Sequence, residues 1–164
     1  MIVICGADGT GKSTLANDLA KTSDLFVVEG YSRAIKACRD QVELTKEAEQ
    51  ILLNEITLQN YCTHICTNAV MVRSILDIIV YSRVLTPDLD VSRFLSVWNR
   101  TKADVSIIYC PVEFEDKSND DLRFKSLQGK IDLEFCRLLR GEAKLIVSGD
   151  PNTRLRQALK YLAL

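Results

Sequence analysis

Gly6-Ala7-Asp8-Gly9-Thr10-Gly11-Lys12-Ser13 is the stretch that decides how this chain folds. It fits the spacing G-x-x-x-x-G-K-[ST], and its flanks are those the spacing needs. Met1 to Cys5 is short, β-branched and apolar, as a buried strand is, while Thr14 to Lys21 has the apolar spacing of a helix. A loop between strand and helix follows. Glycines let the chain curl until successive backbone N–H groups point inward, and the helix N-terminus adds partial positive charge. Lys12 then reaches the outer phosphates, and the Ser13 hydroxyl binds Mg²⁺. The stretch therefore implies a bound nucleoside triphosphate.

Outward from the loop, apolar runs alternate with helical patterns. Leu25 to Val28, Asn68 to Val72, Asp104 to Cys110 and Ala143 to Val147 read as strands. Helical spacing starts at Tyr31 to Cys38 and recurs over Thr45 to Ile65, Ser74 to Val84, Val91 to Thr101, Leu127 to Leu139 and Asn152 to Leu162. This order predicts an α/β fold in three layers, α/β/α, around a five-stranded parallel sheet with ligands at the carboxyl ends of its strands. Those ends are the phosphate loop, Glu29, Arg73, the stretch after Cys110, and Ser148-Gly149-Asp150. Glu113 to Arg123 is charged, offers little to bury, and reads as a mobile surface segment.

Length and composition narrow the function classes. The 164 residues suffice for one domain, 1–164, with no linker-like stretch dividing it. With 47% apolar and 26% charged residues, neither disorder nor a membrane class is indicated. No apolar run approaches the roughly 18 to 20 residues of a membrane span. The opening lacks a charged n-region, so a strand and a cytoplasmic location are expected rather than a signal peptide. Six cysteines without framework spacing are expected as free thiols. Cys62-Thr63-His64-Ile65-Cys66 invites a metal reading, but residues at i, i+2 and i+4 of a helix do not converge on one point. A net charge of −1 argues mildly against gripping duplex DNA, although a local basic groove is invisible to a sum.

Charged residues that directly follow buried strands project at the rim where phosphates lie. Glu29 and Arg73 do so, and Asp8 sits within the loop. Phosphoryl transfer needs positive charge on the moving group and an aligned acceptor, which Arg73, Arg33 and Arg123 could supply, with Glu29 or Asp8 taking or orienting the hydroxyl proton. Asp77 follows Arg73 by one helical turn, so an Arg73–Asp77 ion pair is expected. A GTPase would carry N-K-x-D, which Asn99-Arg100-Thr101-Lys102 does not match. The competing classes are a P-loop ATPase or nucleotide-binding switch without a small-molecule acceptor, and a binding module that has lost catalysis.

The chain resembles the small P-loop kinases of the thymidylate-kinase-like group, most closely the branch with the nicotinamide riboside kinase domain and related AAA-type kinase domains of bacteria and phages. GADGTGKSTLANDLA carries the loop, and VVEGYSRAIK an E-x(3,4)-R segment. VMVRSILDIIVYS parallels D-R-[SG]-x-x-D-x-x-x-Y, NDDLRF a D-x-x-R lid segment, and VSGDPNTRL the stretch after strand five. The resemblance implies ATP and Mg²⁺ as cofactors. ATP phosphates would lie on Gly9, Thr10, Gly11, Lys12, Ser13 and Thr14, with Ser13 on the metal. Arg123 would close from a lid over about 113–126, Asp150 would lie by the adenine, and Glu29, Arg33, Arg73 and Asp77 would face the acceptor. It also implies a nucleoside-type acceptor: a nucleoside, a deoxynucleotide, or a 5-hydroxymethyl pyrimidine base within DNA, as in phage DNA modification. DNA thus stays open as a substrate, and pairing of long helices leaves a homodimer open. One departure stands out. Val72 replaces the usual Asp before the arginine, so Asp8, Glu29 or Asp77 substitutes for it, or Ser13, phosphates and water hold the metal alone.

Overall fold

Four consecutive buried apolar residues need cover on both sides, and β1 (Ile2–Cys5) obtains it at the centre of a parallel sheet. In this computed structural model, which describes residues 1–31, 35, 44–113 and 122–164 and not the side chains of 122–126, β1 pairs with β3 (Ala69–Val72) on one side and β4 (Ser106–Tyr109) on the other. β2 (Phe26–Val28) and β5 (Leu145–Ile146) form the edges, giving the order β2-β3-β1-β4-β5 with every pair parallel. Ile4 lies opposite both Val72 and Ile108, which brings the ends of the three central strands level.

The two-residue alternation of β1 divides its side chains between two cores. Ile2 and Ile4 pack with Leu15 and Leu19 of α1 (Lys12–Thr22) and Ala158 of α6 (Pro151–Leu162). Val3 and Cys5 face the other layer, built from α2 (Lys46–His64), α3 (Ile75–Leu85), α4 (Ser92–Thr101) and α5 (Leu122–Leu138), whose Tyr61, Ile79, Trp98 and Phe135 are fully or nearly fully buried. The three-layer α/β/α architecture is therefore as the alternation implied. Every residue from Ile75 to Ser82 is buried, so α3 is the central helix of its layer.

Boundaries depart from periodicity where local chemistry overrides it. α1 starts at Lys12 because Gly11, at φ 83, turns the chain directly into the helix. Asp104 belongs to a 3₁₀ turn, Lys102–Asp104, which delays β4 to Ser106. α5 already contains Leu122 and Arg123, so the expected surface segment ends in helix; residues 114–121 lie outside the described residues, as do Arg33 and most of Tyr31 to Cys38. The five cysteines among the described residues are free thiols, and burial pushes the Cys110 thiol up to about 11. His64 packs edge-on against Phe26. Among the described residues no helix is long and apolar enough to cross a membrane.

Candidate active site

The loop leaves β1 at a point only glycine can occupy. Gly6 has φ +145°, and a Cβ there would stand 2.2 Å from the Cys110 carbonyl oxygen. Gly9 and Gly11 follow in left-handed conformations at φ 76 and 83. No peptide bond among the described residues is cis, so each carbonyl points opposite to the N–H of the next residue. Two loop carbonyls are drawn outward from opposite flanks. Gln128 of α5 donates to Asp8 O at 2.8 Å, and Arg154 of α6 donates through Nη1 to Thr10 O at 2.6 Å. The Gly9 N–H consequently points away from α5 and the Gly11 N–H away from α6.

Thr10 contributes to this loop through its main chain, since its buried hydroxyl donates to Ala7 O at 2.9 Å. Ser13 and Thr14, in the first turn of α1, are half-buried and exposed. Lys12 is buried, with its ammonium donating to the carbonyls of Gly6 (2.9 Å) and Ala7. Burial lowers its pKa, and the neighbouring Arg73 guanidinium lowers it further. The lysine is thus folded back on the loop.

On the other side, Arg73 ends β3 with φ 67, a conformation non-glycine residues seldom adopt. That backbone turn sends the guanidinium back to an ion pair with Asp8 and places it 5.1 Å from the centre of the Tyr81 ring. Burial opposes the arginine's charge, but the Asp8 carboxylate outweighs it and holds the pKa above its ordinary value. Gly30 comes so close that a Cβ would stand 2.8 Å from Arg73 Cδ and 3.2 Å from Val72 O. The tip of β2 therefore packs directly on Arg73.

The expected Arg73–Asp77 ion pair is not formed. Asp77 Oδ2 accepts from the Ser74 N–H at 2.8 Å, while Ser74 Oγ accepts from the Leu76 N–H at 3.2 Å, a reciprocal cap that starts α3. Asp77 is thereby committed to the helix, and Arg73 turns to Asp8. The other oxygen, Asp77 Oδ1, is buried without a hydrogen-bond partner. Burial raises this carboxyl to about 6, against the pull of the Lys12 ammonium.

The structure thus brings Lys12, Asp8, Arg73 and Asp77 into one electrostatic cluster at the ends of β1 and β3. Glu29 is exposed at the end of β2, one residue before Gly30. Asp150 is the N-cap of α6, taking the Thr153 N–H (3.1 Å) and hydroxyl (2.6 Å), which hold its carboxyl below the usual range. Arg123 lies in the first turn of α5, with its side chain outside the described part, and Arg33 is outside altogether.

Sequence reasoning missed Gln128, Arg154 and Glu113. Arg154 Nε donates to Gly149 O (2.9 Å), and its Nη2 donates to Glu113 Oε2 (2.8 Å). The same Glu113 oxygen accepts from the Gly149 N–H (3.0 Å), so Glu113 is a bound residue rather than part of a solvated loop. One signal was available. Arg154 is one helical turn from the buried Ala158 and shares its apolar face, where an arginine requires partners.

A parallel sheet with this strand order, a glycine loop between β1 and α1 that leads into Lys12, and Arg73 directly after β3 together match the P-loop kinase fold. The chain belongs to the AAA domain family AAA_28, which matches residues 1–147. Similar solved structures include nucleoside and nucleotide kinases. A deoxyadenosine kinase from M. mycoides with products dCMP and dCDP bound superposes with TM-score 0.72 at 15% identity, covering 99% of this chain and 98% of that one. Thymidylate kinase from Ehrlichia chaffeensis gives 0.63 at 17% identity, covering 99% and 97%. NadR in complex with NR gives 0.62 at 16% identity, covering 99% of this chain and 51% of that chain. No curated protein sequence matches the chain.

Proposed function

We propose that this protein is an ATP-dependent kinase that transfers the γ-phosphoryl group to a nucleoside-type acceptor. The observation that carries this reading is the glycine loop between β1 and the start of α1, whose Asp8 and Thr10 carbonyls are each held by a helix side chain, so that the Gly9 N–H faces away from α5 and the Gly11 N–H away from α6. Phosphate arrival exchanges the Lys12 bonds to the Gly6 and Ala7 carbonyls for bonds to phosphate oxygens. Arg73, fixed by Asp8 and Tyr81, neutralises charge on the moving phosphoryl group, and Arg123 adds to it. Glu29 is the acceptor-facing base: Asp8 is engaged by Arg73 and Asp77 by the start of α3, whereas Glu29 is exposed beside the residue that packs on Arg73. Arg33, Arg73 and Asp77 complete the acceptor side, and Asp150 places the α6 turn near the base of ATP.

Mg²⁺ fits the donor set. The Ser13 hydroxyl opens α1, and Asp77 Oδ1 is a buried carboxylate oxygen lacking a protein donor, which a metal-bound water would satisfy in place of the carboxylate absent at Val72. The ion supplies charge neutralisation on the phosphates. The structural neighbours include proteins whose names mark deoxyadenosine and thymidylate as substrates, and one that holds NR. A nucleoside or deoxynucleotide is therefore the leading acceptor, with hydroxymethylated pyrimidine in DNA, a phage-type modification, as the polymer counterpart.

The test is a panel of nucleosides, deoxynucleoside monophosphates and hydroxymethylated DNA, assayed with γ-labelled ATP. Label on one acceptor class supports the kinase and names its substrate. ATP hydrolysis without transfer to any of them would move the protein to the ATPase class.

A further inference from the structure

We infer that Arg154 is a positioning residue for the nucleotide: it holds the Thr10–Gly11 peptide so that the Gly11 N–H is presented to the phosphates. The inference builds on the kinase reading above. One guanidinium binds three segments remote from one another in the chain: Thr10 O of the loop at 2.6 Å, Glu113 Oε2 beyond β4 at 2.8 Å, and Gly149 O before α6 at 2.9 Å. Its side chain is only 4% exposed. A buried guanidinium demands compensation, and Glu113 provides it, itself steadied by the Gly149 N–H at 3.0 Å. Thr10 O thereby receives a short, charge-assisted bond from a donor that cannot swing away.

Why this peptide needs holding follows from its place in the fold. Gly11 is the N-cap of α1, and no side chain caps the helix there. The N–H groups of the following residues are aimed by helix geometry, but that of the N-cap residue lies outside the helix and is not. Gly11 is also a glycine at φ 83, without the Cβ that would oppose a rotated peptide. Because the peptide is trans, drawing Thr10 O toward α6 sends the Gly11 N–H the opposite way. A Cβ built on Gly11 would lie 3.5 Å from Arg154 Nη1, so the guanidinium sits directly against this turn. Arg154 therefore does for Gly11 what the helix does for the residues after it.

The test uses the full chain with ADP as probe, followed by calorimetry and by ¹H–¹⁵N NMR. Arg154→Lys keeps a charge opposite Glu113 but loses the fork that reaches Thr10 and Gly149 together. It is expected to weaken ADP about tenfold, the scale of one charge-assisted hydrogen bond. At saturation, the ADP-induced shift of the Gly11 amide should shrink, while Gly141, in the turn after α5, responds as in the wild type. Arg154→Met should lose more affinity, and where that variant does not fold, Arg154→Lys decides. A folded Arg154→Lys protein with wild-type ADP affinity overturns the inference. Weaker binding with a full Gly11 shift at saturation also overturns it, since the arginine would then only support the fold. Wild-type protein that binds no ADP overturns the kinase reading and takes this inference with it.

Discussion

The two sides of the site are made of different material. On the proposed donor side the binding groups would be main-chain amides and the Lys12 ammonium, and side chains from α5 and α6 act behind the loop, through Gln128 on Asp8 O and Arg154 on Thr10 O. On the proposed acceptor side the side chains themselves would be the binding groups: Arg73 paired with Asp8, Glu29 exposed, and Asp77 with one buried oxygen left without a partner. A phosphate is the same in every nucleotide, so amides fixed by glycines and one ammonium group serve for all of them. An acceptor has to be distinguished from its analogues, which takes polar groups of particular shape and charge. On the proposed reading, the donor side is thus built for generality and the acceptor side for choice.

Substitutions should separate the two sides, beginning with the largest effect. Lys12→Ala leaves outer-phosphate charge uncompensated and is expected to lower label transfer from γ-labelled ATP by about 10³-fold or more, roughly 4 kcal/mol; turnover near wild type would remove the loop from the mechanism. Glu29→Gln acts on the other side alone. It should reduce kcat about 10²-fold while calorimetry finds ATP affinity intact, and an unaltered rate would shift the base to Asp8 or Asp77.

Asp77 gives a pH signature. Its carboxyl is raised by burial to about 6 from an ordinary 3.8, so the folded state holds this proton more tightly than the unfolded chain does. The resulting stability is fully present below the lower value and is lost as pH rises through the upper one, by at most about 3 kcal/mol. Asp77→Asn cannot ionise. In urea unfolding at a series of pH values, its stability relative to wild type should therefore improve between pH 4 and pH 6, and a flat difference would mean that burial does not control this group. The smallest effect belongs to Gly30→Ala, whose new Cβ meets Arg73 Cδ at 2.8 Å. Displacing the arginine slightly should raise acceptor KM several-fold, about 1 kcal/mol, with ATP affinity unmoved; an equal loss on both substrates would show that the two sides are not separable.

What could be read from the sequence follows the same division. The loop was legible because its shape is set by backbone geometry, which Gly6, Gly9, Gly11 and Lys12 encode locally. The five strands were legible because a buried parallel sheet requires continuous apolar runs such as Ile2 to Cys5 and Ala69 to Val72. Partners of charged groups were not. Helical spacing favoured Arg73 with Asp77, but a left-handed φ at Arg73 and the demand of α3 for a cap sent each elsewhere. Arg154 meets Thr10 and Glu113 only through the fold, across 144 and 41 positions of chain. Periodicity carries no information about such contacts. An arginine on the buried face of α6 was the available clue, and it calls for a partner without saying which.

Calorimetric titration with magnesium-ATP, wild type beside Lys12→Ala, tests the central claim most directly. A single saturable site in the wild type, lost or greatly weakened in the variant, is the result expected if loop amides and Lys12 hold the triphosphate. No binding by the wild type, or equal binding by both proteins, would contradict it.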